Sequence, residues 1–454
     1  MRQIVQCLLL HTWIAGQRAA GCARLLWGAN WSRRQILAFQ ARRLRALVRH
    51  AYERVPYYRR LFDQAGLKPG DVRTLADLAR IPLSSRDDLQ RLPAAEVVAR
   101  GFDPRELAVH RTSGSSGQPL NIRRTWFEDR LLQASRLQVL RGLGFRVTDR
   151  RAAVVAPRRM GAGAWHTRLG FLPYEEVHCL WPPEQILSRL REIRPDILRG
   201  YPGTLSWLAG FLTPADRASI RPRFITTDSE TLTSDMRVRI SEGFGAPVID
   251  FYDSHEFNLI AWECPAGGSY HVSDLTLIAE VLKDGRPAEP GEEGELVGTA
   301  LDSFAMPFIR FRLGDQVTRG EGRCACGASN SILQRVVGRV ADRFQLPDGR
   351  SIHPYTLVDP LLLHAPWLRR YQIAQERLDR VRVRMVPLAG QAPSLDALAA
   401  IHQMLAESLG PGVSVEAEVV EEIPAGPNGK FRPYYSLVSR PDRETHLDLE
   451  ELKP

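Results

Sequence analysis

The sequence predicts an α/β protein, with a large N-terminal α/β domain followed by a small α+β domain. Three observations carry this. Between residues 105 and 320, short apolar runs alternate with helical patterns, the signature of strands crossing over through helices. Several of these runs lead straight into Gly, Ser, Asp or Glu, and ligands of open α/β sheets collect at such strand ends. Over the last hundred or so residues the pattern changes to a hairpin, an amphipathic helix and one more alternating strand.

The elements follow in order. Ser32 to Ala65 reads as helix, with an apolar stripe of Ile36, Phe39, Leu44, Leu47, Ala51 and Val55 and arginines on the other faces. Pro56 kinks or ends it. The expected strands are Ala152–Ala156, Ile197–Gly200, Phe224–Thr227, Pro247–Phe251, Glu295–Leu301 and Phe308–Leu313. In the last part, Tyr371–Gln375 and Val381–Val386 read as a hairpin. Ser394 can cap a helix striped by Leu395, Leu398, Ile401 and Leu405, and Val413–Val420 alternates like a strand. The charged, glycine-rich stretch from Gly338-Arg339 to Asp348-Gly349 marks the boundary, giving domains 1–338 and 339–454.

The chain has 454 residues, 44% hydrophobic and 25% charged, which is the profile of a globular protein with a sizeable core. Its net charge of +9 is carried almost wholly by arginine, because Lys68, Lys283, Lys430 and Lys453 are the only lysines. A positive sum suits anionic ligands. The arginines are dispersed and no nucleic-acid-binding motif accompanies them, so nucleic acid is not the expected partner. The apolar stretch Ile4 to Gly16 is too short to span a bilayer. Arg18 interrupts the faint lipoprotein-like Ala19-Ala20-Gly21-Cys22, so no signal is read and a cytoplasmic location is expected. Six cysteines in a chain this long do not make a disulfide framework.

Five signals stand in order. The first is the run Thr112-Ser113-Gly114-Ser115-Ser116-Gly117-Gln118-Pro119. Its glycines let the backbone come close to a ligand, and its hydroxyls and N–H groups can donate to phosphate oxygens. On its own it also reads as a flexible turn. Then come Asp250-Phe251-Tyr252-Asp253-Ser254-His255-Glu256, Arg310-Phe311-Arg312-Leu313-Gly314-Asp315, Gly338-Arg339-Val340-Ala341-Asp342, and Pro424-Ala425-Gly426-Pro427-Asn428-Gly429-Lys430. This order resembles the adenylate-forming superfamily of acyl-CoA synthetases. Within it, the chain resembles the phenylacetate–coenzyme A ligase branch with its capsular-polysaccharide-biosynthesis relatives. Tyr52-Glu53-Arg54-Val55-Pro56-Tyr57-Tyr58-Arg59 and Gly200-Tyr201-Pro202-Gly203 fit that branch, so the resemblance spans residues 30 to 440.

The resemblance implies a large adenylate-forming domain with a small, mobile C-terminal domain. It implies that a carboxylate attacks the α-phosphate of ATP and releases pyrophosphate, and that the acyl group then passes to coenzyme A. Both reactants of the first step are anions, so catalysis is positioning and charge neutralisation. The glycine-serine run would hold phosphates. The Lys that many relatives carry after its Pro is Leu120 here, leaving Arg123 or Arg124 as alternative charges. Glu256 matches the Mg²⁺-holding carboxylate, and Tyr252 the aromatic against adenine. His255 contacts the acyl carboxylate or fills space. Asp315 matches the acceptor of the ribose hydroxyls and Arg339 a ribose or phosphate contact. Ser229 and Glu230 fall where relatives carry an adenine loop. Lys430 matches the small-domain lysine of the adenylation step, a compact point charge suited to that task. The family's hinge falls on Ala341 or Asp342.

Cys264, His271, Cys324 and Cys326 form a second constellation that can be a closed zinc site or four ordinary residues with free thiols. The expected cofactors are thus ATP, Mg²⁺ and coenzyme A, with Zn²⁺ as a structural candidate. The expected partners are a small aromatic or aryl-acetic acid, coenzyme A or a carrier protein, and a second copy of the chain in a homodimer. Two alternatives stand: an adenylating enzyme that delivers to a carrier protein or an amine, and a non-catalytic nucleotide-binding homologue.

Overall fold

The computed structural model describes residues 28–111, 120–156, 172–339, 343–352, 354–358, 361, 364–365, 367–388, 390–424 and 430–438. The expected glycine-serine loop at 112–119, the hinge candidates Ala341 and Asp342, and residues 425–429 lie outside them. Two compact units emerge: Met1–Phe145 with Phe251–Val336, and Arg146–Asp250 with Val337–Pro454.

In the first unit the N-terminal helix runs Arg33–Arg54. Ser32 caps it with a reciprocal pair of bonds to Gln35, satisfying N–H groups that the helix start leaves orphaned. Its stripe of Ile36, Phe39, Leu44, Leu47, Val48 and Ala51 is buried. Pro56 ends this helix and opens the next, Pro56–Gln64, because a proline ring is tolerated at the first helical position and not inside. These helices share a core with Ile278, Leu301 and Phe304. Arg43, absent from the expected stripe, is buried in it. It ion-pairs with Asp302 at 2.7 Å, the two side chains only 3% and 2% exposed, and donates to the Leu301 carbonyl.

Antiparallel strands form this unit's sheet. Leu277–Lys283 pairs with Glu293–Ala300, which pairs with Phe311–Arg319. Asn258–Glu263 pairs with Tyr270–Val272, and the latter with Ile332–Arg339. The strand expected from Phe308 starts three residues later. Arg310 sits at φ 44°, outside strand geometry, and its buried guanidinium binds Glu280 and the carbonyls of Ala79 and Ile81.

In the second unit, Tyr174–His178, Arg151–Val155, Ile197–Gly200, Phe224–Thr227 and the start of Val248–Ser254 make a parallel sheet, adjacent in that order. The strands at Ile197, Phe224 and Val248 fall where the apolar runs place them, since strands buried on both faces read as continuous apolar runs. The helices Pro183–Ile193, Pro202–Ala209 and Ser234–Phe244 supply the crossovers. The last part of this unit has a second sheet. Leu368–Arg377 and Arg380–Pro387 form the expected hairpin, Ser414–Val419 adds parallel to the latter, and Tyr434–Ser436 adds parallel to the former. Helix Leu395–Leu409, capped by Ser394 as expected, packs Ile401, Leu405 and Leu409 on Ile373, Val381, Val383 and Val415. Among the described residues, no helix is long and apolar enough to cross a membrane.

The Arg43–Asp302 pair yields a stability test. Asp302→Ala strips a buried guanidinium of its counter-charge, which costs about 3–5 kcal/mol. The urea midpoint of the first unit, followed by circular dichroism, is expected to fall accordingly. A shift equivalent to under about 1 kcal/mol, the worth of a surface pair, would show that this pair does not anchor the N-terminal helix.

Candidate active site

The sequence-predicted residues fall into two groups, one in each unit. In the first unit, strand Val248–Ser254 meets Asn258–Glu263 in a tight hairpin, with Ser254 opposite Asn258. Asn258 turns the chain at φ 61°, a conformation Asn tolerates better than most residues. Ser254 Oγ accepts the Phe257 N–H. His255 and Glu256 occupy the tip.

Two arginines hold this tip: Arg124, weighed as an alternative charge for the loop, and Arg86, which the sequence did not single out. Arg124, buried, donates to the main-chain carbonyls of both His255 and Glu256. Burial lowers its pKa, and the neighbouring Asp129 opposes that shift. Arg86 donates to Glu256 Oε1 at 3.2 Å, and the Glu256 side chain is only 2% exposed. Arg124 belongs to strand Asn121–Arg124, which pairs antiparallel with Ala108–Arg111 so that Arg111 faces Asn121. The glycine-serine run, itself outside the described residues, therefore connects two paired strands, and the second of these clamps the Glu256 turn. Arg123 is committed to the Pro104 carbonyl and Leu120 is buried. The two arginines weighed as substitutes for the missing loop lysine are thus both engaged in holding main chain.

Tyr252 and Asp315, assigned separately to adenine and ribose, are brought together. The Tyr252 hydroxyl donates to Asp315 Oδ2 at 2.6 Å, and both side chains are buried. Glu256 offers an oxygen donor of the kind a hard divalent cation takes, alongside bridging phosphates. A carboxylate suits Mg²⁺ by type, and with Oε1 taken by Arg86 a bound cation would have to share or replace that contact.

The second unit holds Ser229, Glu230 and Lys430. Strand Phe224–Thr227 ends in Asp228, which is buried and gripped by Arg199 through both oxygens, at 2.6 and 3.0 Å. Ser229 then takes φ 69° and is exposed. Glu230 accepts the Gly203 N–H at 2.9 Å and the Phe431 N–H at 2.6 Å, one on each carboxylate oxygen. Burial pushes its pKa up to about 7 against the pull of those N–H groups, Lys430 and Arg370. The Lys430 ammonium lies 5.6 Å from the Tyr201 ring centroid, within cation–π range. Arg339 ends strand Ile332–Arg339, and its side chain lies outside the described residues.

Cys264, His271, Cys324 and Cys326 converge, and their ligand atoms all lie within 4.8 Å of one another. Two glycine-bearing turns present the thiols: the Gly267 and Gly268 N–H groups close onto the Cys264 carbonyl, and the Gly327 N–H closes onto that of Cys324. Pairing of His271 with Ile332 brings the imidazole to the second turn. Cys264 Sγ and Cys324 Sγ are 3.5 Å apart, and Cys326 Sγ and His271 Nε2 3.3 Å apart. A tetrahedron with zinc–thiolate bonds of about 2.3 Å has edges a few tenths of an ångström longer. Burial lowers the His271 pKa, which favours the neutral imidazole that binds metal. Zinc fits this donor set.

The chain resembles proteins of known kind. Residues 344–435 match the family model described as the CapK C-terminal domain. A phenylacetate-coenzyme A ligase of Thermus thermophilus is 28% identical over 365 residues, 76% of this chain and 79% of that protein. The Escherichia coli phenylacetate-coenzyme A ligase is 26% identical over 378 residues, 77% and 82% of the two. The crystal structure of a 2-hydroxyisobutyryl-CoA ligase in its postadenylation state matches with a TM-score of 0.73 at 22% identity, covering 88% of this chain and 89% of that chain. This chain is thus similar over about three quarters of its length to phenylacetate-coenzyme A ligases, has the fold of the solved CoA ligases, and matches the CapK C-terminal domain over residues 344–435.

Proposed function

We propose that this chain activates a carboxylic acid with ATP as an acyl-adenylate and transfers the acyl group to coenzyme A. The acid is aromatic or aryl-acetic, the class named in the phenylacetate-coenzyme A ligases it resembles. The observation that carries the reading is the meeting of Tyr252 and Asp315, which lie 63 positions apart and carry the adenine and ribose assignments. Asp315 accepts the ribose hydroxyls, with the Tyr252 phenol fixing the orientation of its carboxylate. Glu256 would hold Mg²⁺, which supplies charge neutralisation on the phosphates. His255 shares the clamped turn, and Arg124 holds its main-chain carbonyl next to Glu256. The segment from 339 on acts as the smaller lobe; the CapK C-terminal match and its own apolar core support this division. From that lobe Lys430 brings an ammonium to the attacking carboxylate and the α-phosphate, lowering their mutual repulsion as the bond forms.

The hinge position, which falls on Ala341 or Asp342, motivates one second reading, in which the acceptor is a carrier-protein thiol or an amine. Mass spectrometry of the products formed with coenzyme A, a carrier protein and amines separates the two. Acylation of coenzyme A alone removes this second reading.

Zinc belongs to the proposal as a structural ion. Four protein ligands leave no open position, so its work is to pin the loop at Cys264 to the one at Cys324.

Two outcomes are expected. Acid-dependent ATP–pyrophosphate exchange should fall by about 10²–10³ in Lys430→Ala, the usual loss for one charge-stabilising donor. Undiminished exchange would remove Lys430 from the reaction. Purified protein should carry one zinc per chain by elemental analysis, because a structural site retains its metal. His271→Ala should lose that zinc and lower the melting temperature. Wild-type protein free of zinc, purified without chelator, would leave the cluster as four ordinary residues.

A further inference from the structure

We infer that Glu230 and Gly203 form the dock that seats the Lys430-bearing segment, which makes Glu230 a positioning residue for adenylation. The inference rests on the role proposed for Lys430.

The local chain is built to aim this carboxylate. Arg199 fixes Asp228 at the end of strand Phe224–Thr227, and Ser229 reverses the chain at φ 69°. A left-handed non-glycine residue is strained and persists only where its surroundings enforce it. The reversal delivers Glu230 to the start of helix Pro202–Ala209, where Oε2 takes the Gly203 N–H. Oε1 takes the Phe431 N–H, from a residue 201 positions further along. One carboxylate therefore ties the helix start to the residue next to Lys430.

The seat around it is close-fitting. A Cβ on Gly203 would meet Phe431 Cβ at 2.6 Å and Glu230 Oε2 at 3.0 Å, so only glycine permits this approach. The Phe431 ring is buried among Tyr201, Leu205 and Ile423. The Arg370 guanidinium lies 4.0 Å from the ring centroid and donates to the Ile423 carbonyl. With Phe431 seated, the Lys430 ammonium comes to rest over Tyr201. Burying the carboxylate opposes its charged form, which offsets part of the gain from its two N–H bonds.

Steady-state exchange and hydrogen–deuterium exchange of Glu230→Ala, Glu230→Gln and Gly203→Ala test the dock, each variant first matched to wild type by circular dichroism. Glu230→Ala and Gly203→Ala should each lower kcat of ATP–pyrophosphate exchange at least about tenfold, the scale expected when a reacting group is misplaced. KM for ATP should stay within about twofold, because ground-state nucleotide binding is untouched. The peptide spanning 430–438 should exchange faster in both. Glu230→Gln keeps one accepting oxygen and should fall between. A raised KM for ATP in Glu230→Ala with wild-type Gly203→Ala would assign Glu230 to the nucleotide and overturn the dock. Unchanged kcat and unchanged protection at 430–438 would also overturn it. If Lys430→Ala is inactive while these variants are not, the dock alone fails; if Lys430→Ala is active, the proposed reaction fails first.

Discussion

A carboxylate and a phosphate group repel each other, and a cation placed between them lowers that repulsion beyond what backbone N–H groups supply. The account of this chain depends on how that cation is delivered. Lys430 is one of four lysines in 454 residues, next to a phenylalanine that is bonded through its N–H and buried through its ring. An ammonium on a flexible stem can be placed by its neighbour and still adjust at its tip. The remaining groups set the stage: Tyr252 orients Asp315, and Arg124 fixes the turn that carries Glu256.

The arginine surplus takes on a different meaning in the folded protein. A positive sum of +9 suggests anionic ligands, yet Arg43, Arg86, Arg124, Arg199 and Arg310 are all engaged with carboxylates or main-chain carbonyls. A guanidinium presents five donors in a rigid fork and can close several chain segments at once. Arg310 joins Glu280 to two carbonyls near residue 80, and Arg124 joins a strand to a hairpin tip. In these places the positive charge is mortar for the scaffold.

Much of the fold was legible in the sequence where the signal is local. The strands Ile197–Gly200 and Phe224–Thr227 follow from short apolar runs, and Ser394 from its place before a periodic stripe. The start of the strand at Phe311 has no local mark, because Arg310 adopts φ 44° where its guanidinium pairs with the partly buried Glu280, a long-range cause. Tyr252 and Asp315 were singled out through a resemblance to a family's ordered motifs, and their hydrogen bond shows that the two meet. Arg86 could not have been found, since it reaches Glu256 across 170 positions from an ordinary capped helix. The Cys/His group was readable as two turns; its closure needed the pairing of His271 with Ile332.

In the reaction we propose, an attacking carboxylate splits ATP between its α- and β-phosphates. A single-turnover reaction with enzyme in excess over ATP, saturating aryl acid and no thiol, analysed by mass spectrometry, tests it most directly. The account requires acyl-AMP and pyrophosphate in equal amounts, both dependent on the acid. Formation of ADP with an acyl phosphate, or of AMP without the acid, would contradict it.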